Sequence, residues 1–192
     1  MRVGVLALQG AFREHIATLA RLGVESREVR TVKDLEGVEG LILPGGESTT
    51  IGMLMDEYGL IEALRQGEMP LFGTCAGMIV LAKDIQGSTQ PRLGLMDMAV
   101  DRNHYGRQRE SFETEIAVTG LPQGVRGVFI RAPVVTRTGR GVEILARHQG
   151  EVVLCAEGRC LAAAFHPELT DDTRLHRMFL DRFVEKVPAR RR

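Results

Sequence analysis

Short apolar runs alternate with amphipathic stretches through the first half of the chain. The apolar runs are residues 3–8, 41–43 and 70–74, and residues 24–29 are predicted as a further short strand. Apolar residues at helical spacing occupy residues 12–22 and 49–66, between those runs. Short strands separated by helices are typical of a parallel sheet with helical crossovers. The first half of the chain therefore predicts an α/β unit with a mainly parallel central sheet.

The pattern changes in residues 99–165. Within residues 112–118, apolar or small side chains alternate with Glu113 and Glu115, which is the period of a strand with one buried face. This half therefore predicts additional antiparallel strands, and residues 173–187 predict a last helix. Because no repeat or linker divides the chain, we expect one domain over residues 1–188 and a basic tail at 189–192.

Composition narrows the classes of partner. The chain has 192 residues, with 25 basic and 25 acidic side chains, so nothing indicates a polyanion-binding protein. No apolar run approaches the roughly 20 residues that cross a bilayer, and residues 3–8 are too few for a signal-peptide core. We expect a cytoplasmic protein that binds neither nucleic acid nor membrane.

Three cysteines are an odd number for a compartment in which structural disulfides are rare. Cys155 and Cys160 lack the spacing of zinc ligands and are predicted to be core thiols, so we expect no metal and no cofactor. Cys75 differs because it lies in a Gly-Thr-Cys-Ala-Gly segment between an apolar strand and an apolar helical run. A nucleophile framed by glycines in this way sits on a sharp strand-to-helix turn, where the helix N-terminus favours a thiolate.

A candidate base follows another apolar run. His166 precedes a proline and should therefore be extended, which would project Glu168 to the same side. A carboxylate at this place can fix the tautomer of the imidazole and stabilise its charged form. We expect Cys75, His166 and Glu168 to meet as a catalytic triad.

Residues 41–50 form a strand that breaks into a glycine pair before a helix. The backbone N–H groups of Gly46 and Ala76 are candidates for an oxyanion hole. A phosphate-binding loop is the alternative, although the lysine of a P-loop is missing. Ser48 or Thr49 is also a candidate helix cap.

Arg102 and Arg131 are candidates for holding a substrate α-carboxylate, and surface ion pairing is the alternative for both. His104 is a weak second candidate base. The remaining histidines are predicted to be surface or packing residues without a catalytic role: His15, His148 and His176.

Seven runs of residues resemble one family over the whole chain. They are GVLALQG at 4–10, LPGGESTT at 43–50, FGTCAG at 72–77, DRN at 101–103, SFE at 111–113, FIRAP at 129–133 and FHPEL at 165–169. These runs are similar to the glutaminase subunits of pyridoxal 5′-phosphate synthase, the PdxT type among the class I (triad) glutamine amidotransferases.

The resemblance implies a flavodoxin-like three-layer αβα fold and hydrolysis of L-glutamine by the triad. It also implies a partner, a synthase subunit of the PdxS type that receives the ammonia within a large equimolar hetero-oligomer. The implied glutamine-binding residues are Gly46, Glu47, Ser48, Arg102, Ile130 and Arg131. Two other hypotheses stay open from the residues alone: a cysteine peptidase or other acyl hydrolase, and a binding subunit with a vestigial site.

Overall fold

The architecture is a mixed sheet flanked by helices, in a computed structural model that describes residues 1–102 and 111–185. Twelve strands follow one another in that part of the chain: β1 (Arg2–Leu6), β2 (Glu25–Val29), β3 (Gly40–Leu43), β4 (Leu71–Thr74), β5 (Ala82–Ile85), β6 (Met96–Asp101), β7 (Phe112–Ile116), β8 (Val125–Phe129), β9 (Val134–Thr138), β10 (Glu143–His148), β11 (Glu151–Glu157) and β12 (Cys160–Ala163). The α-helices are α1 (Phe12–Arg21), α2 (Ser48–Glu57), α3 (Leu60–Gln66), α4 (Ala76–Leu81) and α5 (Arg174–Phe179). The end predicted for the domain at residue 188 and the tail at 189–192 lie outside the described residues.

The central sheet has the order β2-β1-β3-β4-β12-β11-β9-β6-β5, with β10 paired to β11. The five strands from β2 to β12 are parallel, and in chain order they read 2-1-3-4-5, the order of flavodoxin-like sheets. Antiparallel pairings join β12, β11, β9 and β6. This confirms the predicted α/β fold with antiparallel strands in the second half.

Two predicted helices differ from the structure. The helix expected over residues 49–66 is two helices, because Gly59 adopts a left-handed conformation (φ 71°) between α2 and α3. Glu47, rather than Ser48 or Thr49, caps α2 by accepting the backbone N–H groups of Thr49 and Thr50 at 3.0 and 2.7 Å. The last helix changes from α-helical to π-helical hydrogen bonding at Leu180–Val184.

The carboxyl ends of three adjacent parallel strands define one edge of the sheet. Leu43 pairs with Gly73, and Thr74 pairs with Ala163, so β3, β4 and β12 end side by side. These three strands are buried on both faces, which fixes their ends firmly. Functional loops of α/β sheets lie at this edge. None of the helices within residues 1–102 and 111–185 is long and apolar enough to cross a membrane.

Candidate active site

Cys75 occupies the turn between β4 and α4. Its backbone has φ 48° and ψ −102°, a conformation that a residue with a side chain rarely adopts. The N–H of Cys75 donates to the carbonyl of Ala163 at 2.8 Å, which ties the strained turn to β12. Strain of this kind is typical of functional sites and is held by the surrounding structure.

The two glycines that frame Cys75 are required by close packing. A Cβ on Gly73 would lie 2.5 Å from the backbone of Gly77, and a Cβ on Gly77 would lie 2.1 Å from the carbonyl oxygen of Leu43. Neither backbone contact can be relieved by turning a side chain. The Gly-x-Cys-x-Gly spacing therefore lets α4 start directly against β3 and β4, with Cys75 at the bend.

His166 and Glu168 follow β12 at the same edge of the sheet. The N–H of His166 donates to the carbonyl of Val128 in β8 at 2.8 Å, and Nδ1 lies 2.7 Å from Oε1 of Glu168. His166, predicted to be extended, has φ −106° and ψ 88° and forms an isolated antiparallel bridge with Val128. Glu168 lies in a short 3₁₀ turn, Pro167–Leu169, and not in a strand. The turn brings the carboxylate to the Nδ1 edge of the ring, so the ring nitrogen left for another partner is Nε2.

Gly45 lies against both the imidazole of His166 and the side chain of Cys75. A Cβ on Gly45 would lie 2.2 Å from Cε1 of His166 and 3.3 Å from Cβ of Cys75. The two side chains therefore meet across the glycine, and the structure brings together all three predicted triad residues. Each of the three is less than a tenth exposed.

Electrostatics in the triad favour an ion pair. Burial alone would lower the pKa of His166, but the hydrogen bonds and negative charges of Cys75 and Glu168 outweigh it and raise the pKa to about 10. Burial would likewise raise the pKa of Glu168, yet the imidazoles of His15 and His166 lower it. The charged imidazole can therefore serve as the proton donor beside the nucleophile.

Replacing Glu168 by glutamine should lower the pKa of His166, because an amide of the same shape carries no negative charge. The wild-type ring should hold its proton from neutral pH up to about pH 10, whereas the variant ring should lose it at a lower pH. Titration of the ring by nitrogen-15 NMR measures both midpoints. Glu113→Gln, a change on an exposed strand position, is the control and should leave the midpoint in place. Equal midpoints in Glu168→Gln and wild type would contradict the assignment.

Arg102 lies beside the loop before α2. Its Nη1 donates to Oγ1 of Thr49 at 2.6 Å and to Oε1 of Gln90 at 2.7 Å, and it lies 3.5 Å from Oγ of Ser48. Oε1 of Glu47 is 3.8 Å away. The structure thus brings together three predicted glutamine-binding residues, Glu47, Ser48 and Arg102, and adds Gln90, which no sequence motif indicated.

Ile130 and Arg131 approach the site from the other side. Sγ of Cys75 lies 3.8 Å from the carbonyl oxygen of Ile130, so the loop after β8 passes directly beside the nucleophile. Arg131 is exposed and has φ 47°, another strained position. Of the three non-glycine residues with positive φ in the described part of the chain, two belong to this site: Cys75 and Arg131.

The proposed oxyanion donors come from two loops at the same edge. Ala76 is the first residue of α4, where an N–H has no partner within the helix. Gly46, the next residue after Gly45, has no side chain and so leaves room for Oε1 of Gln9. A Cβ on Gly46 would lie 2.2 Å from that oxygen. That oxygen accepts the N–H of Glu47 at 2.8 Å and fixes the loop.

The remaining candidates are the cysteines other than Cys75 and the histidines other than His166. Cys155 and Cys160 are buried, and burial raises the pKa of each thiol to about 12. His148, for which no catalytic role was predicted, ends β10, and its ring packs 5.6 Å from that of Phe112. His104 lies outside the described residues. His15 and His176 are fully buried, and Nε2 of His15 lies 3.5 Å from Oε2 of Glu168, a contact that no sequence motif indicated.

Comparisons with known proteins also indicate a glutamine amidotransferase. Residues 5–185 match the model of the SNO glutamine amidotransferase family. The pyridoxal 5′-phosphate synthase subunit PdxT of Pelotomaculum thermopropionicum is 57% identical over 188 residues, which are 96% of each chain. The protein of the same name from Thermus thermophilus is 61% identical over 184 residues, 93% of this chain and 96% of that one.

Solved structures of glutamine amidotransferases have a similar fold. A crystal structure described as a glutamine amidotransferase has a TM-score of 0.89 and 57% identity, and the match covers 93% of this chain and 97% of that one. A glutamine amidotransferase from Thermotoga maritima is only 18% identical but has a TM-score of 0.61, with 93% and 80% of the chains covered. The second likeness bears on the fold alone.

Proposed function

We infer that this chain, which belongs to the SNO glutamine amidotransferase family, hydrolyses L-glutamine to L-glutamate and ammonia through a thioester on Cys75. The observation that supports the mechanism is that Cys75 and His166 lie against Gly45 while Glu168 holds Nδ1 of His166, whose pKa is raised to about 10. A charged imidazole beside a thiolate is the resting state that such a reaction needs.

In the first step the thiolate of Cys75 attacks the δ-carbonyl carbon of glutamine. The N–H groups of Gly46 and Ala76 stabilise the negative charge that develops on the carbonyl oxygen. His166 then gives its proton to the departing nitrogen, which leaves as ammonia when the C–N bond breaks. Glu168 keeps Nδ1 of His166 engaged, so the proton is delivered from Nε2.

In the second step a water molecule hydrolyses the thioester. Neutral His166 takes a proton from the water as its oxygen attacks the acyl carbon. The C–S bond breaks, glutamate leaves, and the thiolate and imidazolium are restored. No cofactor enters either step.

The substrate is a free amino acid in this proposal. Arg102 and Arg131 hold its α-carboxylate from two sides, and Glu47, Ser48 and Ile130 complete the binding loop. Hydrogen bonds to Thr49 and Gln90 support this assignment because they fix the guanidinium of Arg102 at the mouth of the site.

The ammonia passes to a synthase partner. Relatives of this chain carry the name pyridoxal 5′-phosphate synthase subunit PdxT, and we assign this chain the same role. Ammonia released into neutral water becomes mostly ammonium, which is not a nucleophile, so a direct transfer to a docked subunit of the PdxS type is required. The proposal includes a large equimolar assembly of the two subunits in the cytoplasm.

Glutamate release measured with and without the synthase subunit tests the function. We expect hydrolysis of glutamine, with little hydrolysis of peptides that contain an internal glutamine, because two arginines select a free α-carboxylate. Asparagine should also react slowly, because its side chain is one methylene shorter and its amide does not reach Cys75 when the α-carboxylate is held. Faster cleavage of peptides than of glutamine would favour a cysteine peptidase instead. No glutamate release under either condition, together with no labelling of Cys75 by a glutamine-like electrophile, would favour a vestigial site.

A further inference from the structure

Two buried histidines lie behind the triad, on helices far apart in the sequence. His15 in α1 and His176 in α5 are both 0% exposed. Nδ1 of His15 lies 2.9 Å from Nε2 of His176. Nε2 of His15 lies 3.5 Å from Oε2 of Glu168 and 3.1 Å from Oγ1 of Thr74, the residue before the nucleophile. A continuous series of polar groups therefore runs from α5 to His166.

Glu168 has one oxygen that His166 does not use. Oε1 faces Nδ1 of His166, whereas Oε2 is buried and makes no hydrogen bond to any residue in 1–102 or 111–185. A buried carboxylate oxygen without a donor is costly. Nε2 of His15 lies 3.5 Å from this oxygen, slightly too far for a hydrogen bond, and an approach of about 0.5 Å would let its N–H donate to Oε2.

The carboxylate selects one tautomer of each ring. Because Oε2 of Glu168 only accepts, a hydrogen on Nε2 of His15 is the tautomer that suits the carboxylate, and Oγ1 of Thr74 at 3.1 Å can accept from the same atom. Nδ1 of His15 then accepts, so Nε2 of His176 donates to it. This leaves Nδ1 of His176 as a bare lone pair, and that atom is indeed without a partner among the described residues. The opposite assignment would bury an unpaired N–H and turn a lone pair toward the carboxylate.

Both rings are neutral in this arrangement. Burial lowers the pKa of His15, although Glu168 opposes the shift, and burial together with His15 lowers the pKa of His176 well below its ordinary value. Arg21 further disfavours a charged His176. The pair thus supplies directed N–H groups without adding charge behind the triad.

We propose that His15 is a positioning residue for the triad, whose Nε2–H holds Oε2 of Glu168 so that Oε1 stays aimed at His166, and that His176 fixes the tautomer of His15. The proposal rests on the function inferred above. It predicts that changes at His15 act on kcat through the orientation of His166 and leave substrate affinity nearly unchanged, because neither histidine lies among the glutamine-binding residues.

The test compares shape with hydrogen bonding at each position. His15→Phe keeps a ring but removes the donor, and we expect kcat to fall by about 10- to 100-fold with KM within about threefold. His15→Gln places an amide N–H near the position of Nε2 and should recover most of the lost kcat. His176→Phe should cost about 3- to 10-fold, and His176→Gln should restore it. His148→Phe, on the aromatic cluster, is the control and should have no effect beyond about twofold.

The double variant separates a relay from two independent effects. Because His176 acts only through His15, His15→Phe combined with His176→Phe should be no slower than His15→Phe alone. Multiplied losses would overturn the relay. Thermal unfolding checks that each variant is folded, and if a phenylalanine variant does not fold, the glutamine variant and the other position decide.

The NMR midpoint of His166 gives a readout independent of turnover. It should fall in His15→Phe and return toward the wild-type value in His15→Gln. Unchanged midpoints together with equal kcat in these two variants would overturn the proposal. If the wild type itself released no glutamate, the function would fail, while the NMR comparison would still decide the role of His15.

Discussion

Glutamine hydrolysis should fall by a factor of about 10⁴ or more when Cys75 is replaced by alanine, since no thioester can form without the sulfur. The substitution removes one atom from a small buried side chain, so the variant should fold like the wild type. Glutamate release under saturating glutamine, measured in the presence of the synthase subunit, gives the size of the loss.

Two controls make this result specific. The Cys75→Ala variant should still support synthesis by the partner when an ammonium salt replaces glutamine, because only the supply of ammonia is lost. Cys155→Ala should retain hydrolysis because that thiol is buried in β11, two strands from β4, and lies against the sulfur of Met98. Substantial glutamine hydrolysis by Cys75→Ala would refute the assignment of the nucleophile.

Gly45→Ala should reduce kcat by about 10²-fold or more, although it replaces no group that takes part in the chemistry. Its new Cβ would lie 2.2 Å from Cε1 and 2.9 Å from Nδ1 of His166, so the ring must move away from both Cys75 and Glu168. A displacement of about 1 Å in a catalytic group can cost a factor of about 100. Steady-state kinetics and the His166 midpoint measure the effect.

Gly141→Ala is the matched control for this glycine. There the nearest atom to a new Cβ is Oε1 of Glu157 at 2.7 Å, the end of a side chain that can rotate away. That variant should keep its activity. If Gly45→Ala were as active as Gly141→Ala, the close approach of Gly45 to His166 would not be what holds the ring in place.

Local sequence patterns predicted the parts of the site that depend on local structure. The Gly-x-Cys-x-Gly segment predicted the turn at Cys75. In the structure, close backbone contacts leave no room for a side chain at Gly73 or Gly77, which explains why the turn needs both glycines. Histidine before proline predicted the extended backbone at His166. The alternation of short strands and helices predicted the sheet, and the resemblance to class I amidotransferases supplied its flavodoxin-like order.

Other features depend on contacts that no local pattern encodes. His15 and His176 are 161 residues apart in sequence and meet only because α1 and α5 pack on the same side of the sheet. Each looked like an ordinary helix residue. Gln90, in an irregular loop, reaches Arg102 only in the folded chain. The break at Gly59 was also missed, because the apolar spacing continues through it.

The position of β12 has a consequence for the timing of activity during protein synthesis. This late strand lies between β4 and β11, and it carries the segment that leads to His166. Contacts so distant in sequence form late, after the earlier strands have paired. When Cys75 has emerged from the ribosome but β12 has not, the nascent chain has the thiol but lacks its base, His166. The nascent chain should therefore release no ammonia before it can meet its synthase.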